Sequence, residues 1–241
     1  MSTEHFFCDI HAHIVPGVDD GAEDLQTALR MLRSAESQGA LAVFATSHDY
    51  ADKNAYSQNF SRLQKAAGNA GIKVKLYMGS EILHIPDEEE RSIELLSHNQ
   101  YRLNGTEYAL IEFDTYESER SIINSIKSVI GTGVTPIVAH AECYHALADN
   151  PDAIEVLTYS GAMLQVNAYS LVEERRPKIK ELARKLIKYR KISFIGSDCH
   201  GITHRPPMLK SGVEYIYENC DKAYADEVCF GNAMRFLGCR I

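Results

Sequence analysis

Strands and helices alternating as βα units around a parallel sheet or barrel are the fold this sequence predicts, and three observations carry the prediction. Seven short apolar runs rich in β-branched or aromatic residues recur along the 241 residues, at 6–10, 41–46, 74–78, 108–113, 135–139, 163–166 and 192–195. Helical periodicity lies between them, as crossover helices joining parallel strands require. Most runs are closely followed by, or end in, a histidine or a carboxylate, and in parallel βα folds chemistry gathers at the strands' carboxyl ends.

The first run leads into Asp9-Ile10-His11-Ala12-His13. Two histidines at i, i+2 on an extended segment project to one face, where both imidazoles reach one cation. A helix then starts near the acidic stretch 20–24, carries Leu25, Leu29 and Leu32 on one face, and stops at Gly39. The second run precedes His48, the third Glu81, and the fifth His140, while the fourth contains Glu112. After the sixth run a second helix places Ile179, Leu182, Ala183, Leu186 and Ile187 on one stripe, followed by the basic turn 188–191. The seventh run leads to Asp198 and His200. Stretches 87–104 and 169–177 carry no clear pattern. With no linker, low-complexity tract or repeat, one domain spanning 1–241 is expected.

Composition excludes several function classes. A net charge of -8 and the lack of a basic cluster interleaved with aromatics argue against a nucleic-acid partner. No apolar run approaches the roughly 20 residues a membrane span needs, and 1–7 has no basic-then-apolar leader pattern, so a cytoplasmic protein without membrane insertion is expected. Six dispersed cysteines with no C-x-x-C pair fit reduced thiols and neither a disulfide frame nor a structural zinc.

Nine candidate metal ligands follow from the strand ends and the first loop: His11, His13, Asp20, His48, Glu81, Glu112, His140, Asp198 and His200. Close carboxylates repel and would be forced to protonate, a cost that cations remove. Imidazole and carboxylate donors without a thiolate suit manganese, iron or zinc rather than calcium. Nine candidates exceed one ion's shell, so two or three ions are expected, with Glu81 and Asp198 as shared ligands.

The pieces Asp9-Ile10-His11-Ala12-His13 through Val18-Asp19-Asp20-Gly21, Ala45-Thr46-Ser47-His48, Gly79-Ser80-Glu81-Ile82, Tyr108 to Phe113, Thr135-Pro136-Ile137-Val138-Ala139-His140, Ser197-Asp198-Cys199-His200 and Arg205-Pro206-Pro207-Met208 carry a resemblance. Over nearly its whole length the chain resembles the PHP (polymerase and histidinol phosphatase) superfamily. Within it, the chain is most similar to the bacterial manganese-dependent tyrosine-protein phosphatases of capsule and exopolysaccharide synthesis. The resemblance implies a distorted (β/α)7 TIM-like barrel with a trinuclear site. His11, His13, Glu81 and Asp198 would hold one ion, Glu81, Glu112 and His140 a second, and Asp20, His48 and His200 a third. It marks Asp20, His48 and Arg205 as catalytic candidates, with Arg205 steadying phosphate. The implied reaction is phosphate-monoester hydrolysis by a metal-bridging hydroxide, and the implied substrate is a phosphotyrosine protein, a bacterial tyrosine kinase of polysaccharide synthesis. In one respect the chain departs from the pattern: Cys143 stands in His140-Ala141-Glu142-Cys143 where an arginine is expected.

Two other readings stay open at this level. One is a PHP phosphoesterase acting on a small monoester of the histidinol phosphate type, and the other a non-catalytic metal-binding regulatory module. Cys199 and Arg205 also match the Cys-x5-Arg loop of cysteine-based tyrosine phosphatases, but a thiol between two metal-ligand candidates on an extended strand end should point away from them. Tyr50 is expected to be a solvent-facing loop tyrosine.

Overall fold

The computed structural model describes residues 5–150 and 152–240. Residues 1–4 of the stretch searched for a leader, and residues 151 and 241 of the expected domain, lie outside the described residues. Eight strands are present among the described residues: β1 (Phe7–Ala12), β2 (Ala40–Ala45), β3 (Lys75–Met78), β4 (Glu81–Leu83), β5 (Tyr108–Glu112), β6 (Thr135–Val138), β7 (Met163–Asn167) and β8 (Phe194–Gly196). They form two parallel sheets, β1-β2-β3 and β4-β5-β6-β7-β8.

Two seams join the sheets into a barrel. At one, Ala12 bridges Cys199, with His13 N donating to Cys199 O at 3.0 Å and Asp198 N to His11 O at 2.7 Å. At the other, His48 bridges Glu81, with Asp49 N donating to Glu81 O at 2.9 Å. The third expected run, 74–78, is β3, which pairs with β2, and beyond a break at Gly79-Ser80 the chain continues as β4, which pairs with β5. Gly79 fits this break because a Cβ there would stand 2.6 Å from Leu103 Cδ2. The two pieces fill one barrel position, so the fold is a distorted seven-unit α/β barrel. Glu81 therefore opens the second half of a broken strand instead of following an intact one.

Local irregularity in β1 sets the site. Asp9 pairs with Val43 and Ala12 with Ala45, so β1 uses one residue more than β2 over this interval. Such a bulge re-aims the following side chains. Cys8 and Ile10 pack inside the barrel with Ala42, Phe44, Leu110, Ile137 and Phe194. Above the bulge, His11 and His13 turn to the same interior and lie fully buried at its mouth.

The helices are α1 (Leu25–Gln38), α2 (Lys53–Asn69), α3 (Glu89–Ser97), α4 (Glu119–Gly131), α5 (His145–Asp149), α6 (Asp152–Tyr159), α7 (Pro177–Lys188), α8 (Lys210–Asn219), α9 (Lys222–Asp226) and α10 (Asn232–Phe236). Asp24 caps α1 by accepting from Thr27 N at 2.7 Å, and Gly39 ends it at φ 107°. The buried stripe is Thr27, Ala28, Met31, Leu32 and Ala35, one step round from the expected one, with Leu25 and Leu29 at its margin. In α7 the expected stripe is buried from Leu182 to Ile187, with Ile179 only partly covered. The unassigned stretches hold short 3-10 turns and α3. Ala233 and Leu237 close the barrel's amino-terminal end. No helix among the described residues is long and apolar enough to cross a membrane.

Candidate metal centre

All nine sequence-derived ligand candidates converge at the carboxyl-terminal mouth of the barrel. His11 Nε2 lies 3.3 Å from His13 Nε2, and each stands 3.1 Å from an oxygen of Glu81. Asp198 Oδ1 completes this group at 3.6 Å from His11 and 3.7 Å from His13. His140 Nε2 faces Glu81 at 3.1 Å and Glu112 at 3.4 Å. Asp20 Oδ1 lies 3.4 Å from both His48 Nε2 and His200 Nε2.

Three sets of donor atoms lie within 4.8 Å of one another: His13, Asp20, His48 and His200; His11, His13 and Asp198; and His48, Glu81 and Glu112. His48 thus faces two groups, since its Nδ1 is 3.3 Å from Glu81 and 3.9 Å from Glu112. This donor chemistry fits divalent transition ions: imidazole nitrogens and carboxylate oxygens mix in every set, and no thiol takes part.

Electrostatics of the cluster pit burial against close pairs of opposite charge. Burial alone would push the Glu81 carboxyl up, but the His11 charge and hydrogen bonds from three imidazoles hold it well below the carboxylate range. Burial disfavours the His13 imidazolium, yet hydrogen bonds to Asp19 and Glu81 outweigh it and lift its pKa to about 10. His200 goes the other way, down to about 4, through burial and the neighbouring His13 and Arg205 charges. Three non-glycine residues at the mouth hold left-handed backbone, His140 at φ 31°, Asp198 at φ 53° and Arg205 at φ 48°. Such conformations persist only where the surroundings enforce them.

A second layer, missed in the sequence, orients the first. Asp19 is buried against His13, accepting from Nδ1 at 2.9 Å, from His48 N at 3.1 Å and from Gly21 N at 3.1 Å. Asp9 accepts from Ser197 N at 2.8 Å and Ser197 Oγ at 2.6 Å, tying β1 to the strand that delivers Asp198. With Nδ1 of His13 on Asp19 and Nδ1 of His200 on the Asp198 carbonyl at 3.0 Å, each ring turns Nε2 toward the cluster. On β7, Gln165 and Asn167 contact the same ligands. The available signal is periodicity on β7, where Gln165 and Asn167 alternate on a strand otherwise apolar.

The rim carries Arg205, whose guanidinium bonds Asp198 Oδ2 and approaches His200 Nε2 at 3.3 Å. Cys143 offers no charge in the arginine's place, because burial and the nearby Glu142 carboxylate push its thiol up to about 12. Tyr50 is 63% exposed as expected, but its ring also stacks on His48 at 5.2 Å and so walls the mouth.

The alternative nucleophile fails on geometry. Cys199 is 1% exposed and packs in the apolar core, and burial drives its thiol far above the ordinary range. A thiol held neutral is no nucleophile. Cys199→Ala is expected to keep kcat within about threefold in a steady-state assay while costing about 1 kcal/mol of stability. A loss of activity beyond about 100-fold in folded protein would restore the cysteine mechanism.

Comparison with known proteins gives a consistent picture. A family model described as "Capsular polysaccharide synthesis, CpsB/CapC" matches residues 7–238. Tyrosine-protein phosphatase CpsB of Streptococcus agalactiae serotype V is 29% identical over 240 residues, covering 95% of this chain and 97% of its own. A solved structure from work on YwqE of Bacillus subtilis and CpsB of Streptococcus pneumoniae, described as unique metal-dependent tyrosine phosphatases, superposes with a TM-score of 0.83 at 27% identity over 96% of this chain and 94% of that one. Histidinol phosphate phosphatase of Lactococcus lactis shares the fold at a TM-score of 0.56 and 15% identity, over 80% of this chain and 86% of that one.

Proposed function

The chain belongs to the CpsB/CapC family of capsular polysaccharide synthesis, and from that premise we infer that it is a metal-dependent tyrosine-protein phosphatase of the CpsB/YwqE type. The observation that carries the reading is the convergence of eight imidazole and carboxylate side chains in three close groups, with His140 against Glu81 and Glu112, beside one arginine at the barrel mouth. We assign His11, His13, Glu81 and Asp198 to one ion, Glu81, Glu112 and His140 to a second, and Asp20, His48 and His200 to a third. Manganese is our choice for all three, an ion that takes carboxylate oxygens and accepts imidazole nitrogens beside them. Held by these residues, such ions would supply Lewis acidity toward a water and positive charge for the phosphoryl oxygens.

The chain's own groups do the rest. Arg205, at the rim and 39% exposed, presents a fork of donors to an incoming phosphate. His11 and His13, fully buried, keep the floor dry and fixed. A phenolate leaves with a free pKa near about 10, so it needs less protonation than an alkoxide. That suits a mouth rich in ligands and poor in spare acids.

The substrate we propose is a phosphotyrosine protein, specifically a bacterial tyrosine kinase of polysaccharide synthesis, met in the cytoplasm. There the cysteines, all free among the described residues, stay reduced. We further propose that residues 1–241 act as one domain. At fixed manganese, phosphotyrosine peptides are expected to outrun histidinol phosphate and sugar phosphates by at least tenfold in kcat/KM. The reverse order would favour a small-molecule phosphoesterase, and full metal loading without any turnover a regulatory module.

Arg205→Ala is expected to lower kcat/KM on a phosphotyrosine peptide about 10- to 100-fold, the loss of one charge-assisted contact worth about 1.5–3 kcal/mol. Arg205→Lys should recover part of it. An unchanged kcat/KM would remove Arg205 from phosphate binding.

A further inference from the structure

β7 supplies no ligand to the proposed centre, yet it faces the centre with two buried amides, Gln165 and Asn167, exposed by 0% and 1%. Gln165 Oε1 accepts from His140 N at 2.8 Å and lies 3.2 Å from His11 Nδ1. Its Nε2 donates to Asn167 Oδ1 at 3.0 Å, and Asn167 Nδ2 donates to Asp198 Oδ2 at 3.2 Å. The chain of bonds has one direction. His140 N–H can only donate, which makes the Gln165 atom facing it the oxygen, so His11 must place its own proton on Nδ1. Nε2 of His11 is then the nitrogen left to give up its proton and take a cation, aimed at Glu81 and Asp198, 3.1 and 3.6 Å away.

Glycine on the adjoining strand makes room for this. A Cβ at Gly196 would stand 2.6 Å from His11 Cβ and 2.9 Å from Gln165 Nε2. Asn167 is itself anchored, its N donating to the buried Glu142 Oε1 at 3.0 Å.

We propose that Gln165 and Asn167 form an amide relay that positions the ligands of two ions at once. Gln165 fixes the His11 tautomer and the left-handed turn at His140, and Asn167 holds the second oxygen of Asp198. Metal uptake by the His11 and His140 groups is thereby coupled through a strand that binds no metal. The proposal rests on the metal-centre reading above, and both residues are positioning residues, since neither touches substrate.

The test is a manganese titration of the full chain stripped with a chelator, followed by calorimetry, with thermal unfolding of the same metal-free proteins alongside. Gln165→Leu removes the acceptor, and its manganese Kd is expected to rise about 10- to 100-fold, the usual effect of losing an outer partner of a metal-binding histidine. Gln165→Glu keeps an acceptor oxygen and should bind within about fivefold of wild type. Asn167→Ala, the second arm if Gln165→Leu does not fold, should weaken binding about 3- to 10-fold. Wild-type Kd and stoichiometry in folded Gln165→Leu, or in Asn167→Ala, overturns the relay. So does Gln165→Glu binding as poorly as Gln165→Leu, because the effect would then be packing. Wild-type protein that takes up no manganese overturns the metal centre itself and the relay with it.

Discussion

Glu81→Gln protein is expected to fold, to lose activity on phosphotyrosine peptide by about 10³-fold or more, and to retain at least one metal equivalent less than wild type. Glu81 is 1% exposed and stands 3.1 Å from each of His11, His13 and His140 and 3.3 Å from His48. It is the anion shared by the two groups of ligands proposed for neighbouring ions. Glutamine keeps its shape and removes its charge, which separates ligation from packing. Each tenfold in rate is about 1.36 kcal/mol, so losing the several kcal/mol that a Lewis-acid contact supplies gives three decades. Steady-state kinetics and elemental analysis of one preparation check both halves. A variant with a tenth or more of wild-type kcat/KM would show that Glu81 holds no essential ion.

Chelation is expected to remove activity entirely and to make metal uptake release protons. The sign follows from the imidazoles. Burial opposes charge on His11, His13 and His140, but Glu81 with Asp198, with Asp19, and with Tyr144 and Glu112 respectively, raises all three, His13 to about 10. Groups raised in the folded state stabilise the metal-free protein fully below the ordinary imidazole pKa of about 6.5, and that contribution is lost as pH climbs through the folded value. Metal-free protein should therefore melt at lower temperature at pH 9.5 than at pH 6.5, beyond any change in the loaded protein. Because a ligating imidazole must be neutral, manganese binding at pH 7.5 should release at least one proton per chain and tighten as pH rises. Calorimetry in two buffers of different ionisation enthalpy measures this. Identical apparent enthalpies in both would contradict it.

Much of the site was legible because parallel strands enforce a simple order: an apolar run, then a polar residue at the rim. His48, His140, Asp198 and His200 follow that order. What was not legible depends on departures from regular geometry. His11 and His13 reach the mouth because β1 holds one extra residue between Asp9 and Ala12, a pairing register that no single strand's sequence displays. The third strand breaks at Gly79, beside Leu103, 24 residues on, whose Cδ2 a Cβ there would meet at 2.6 Å. Asp, Asn and Gln near strand ends are ordinary, so Asp19, and the alternating Gln165 and Asn167, gain meaning from their burial against the ligands. In α1 the small residues Ala28 and Ala35 share the buried stripe with Met31 and Leu32, and Leu25 and Leu29 lie at its edge.

Anomalous scattering from crystals of the manganese-loaded protein tests the central claim most directly. Three peaks at the barrel mouth are predicted, one among His11, His13, Glu81 and Asp198, one among Glu81, Glu112 and His140, and one among Asp20, His48 and His200. A mouth without peaks in protein that is fully active, with Glu81 and Asp198 bonded only to imidazoles and Arg205, would contradict it.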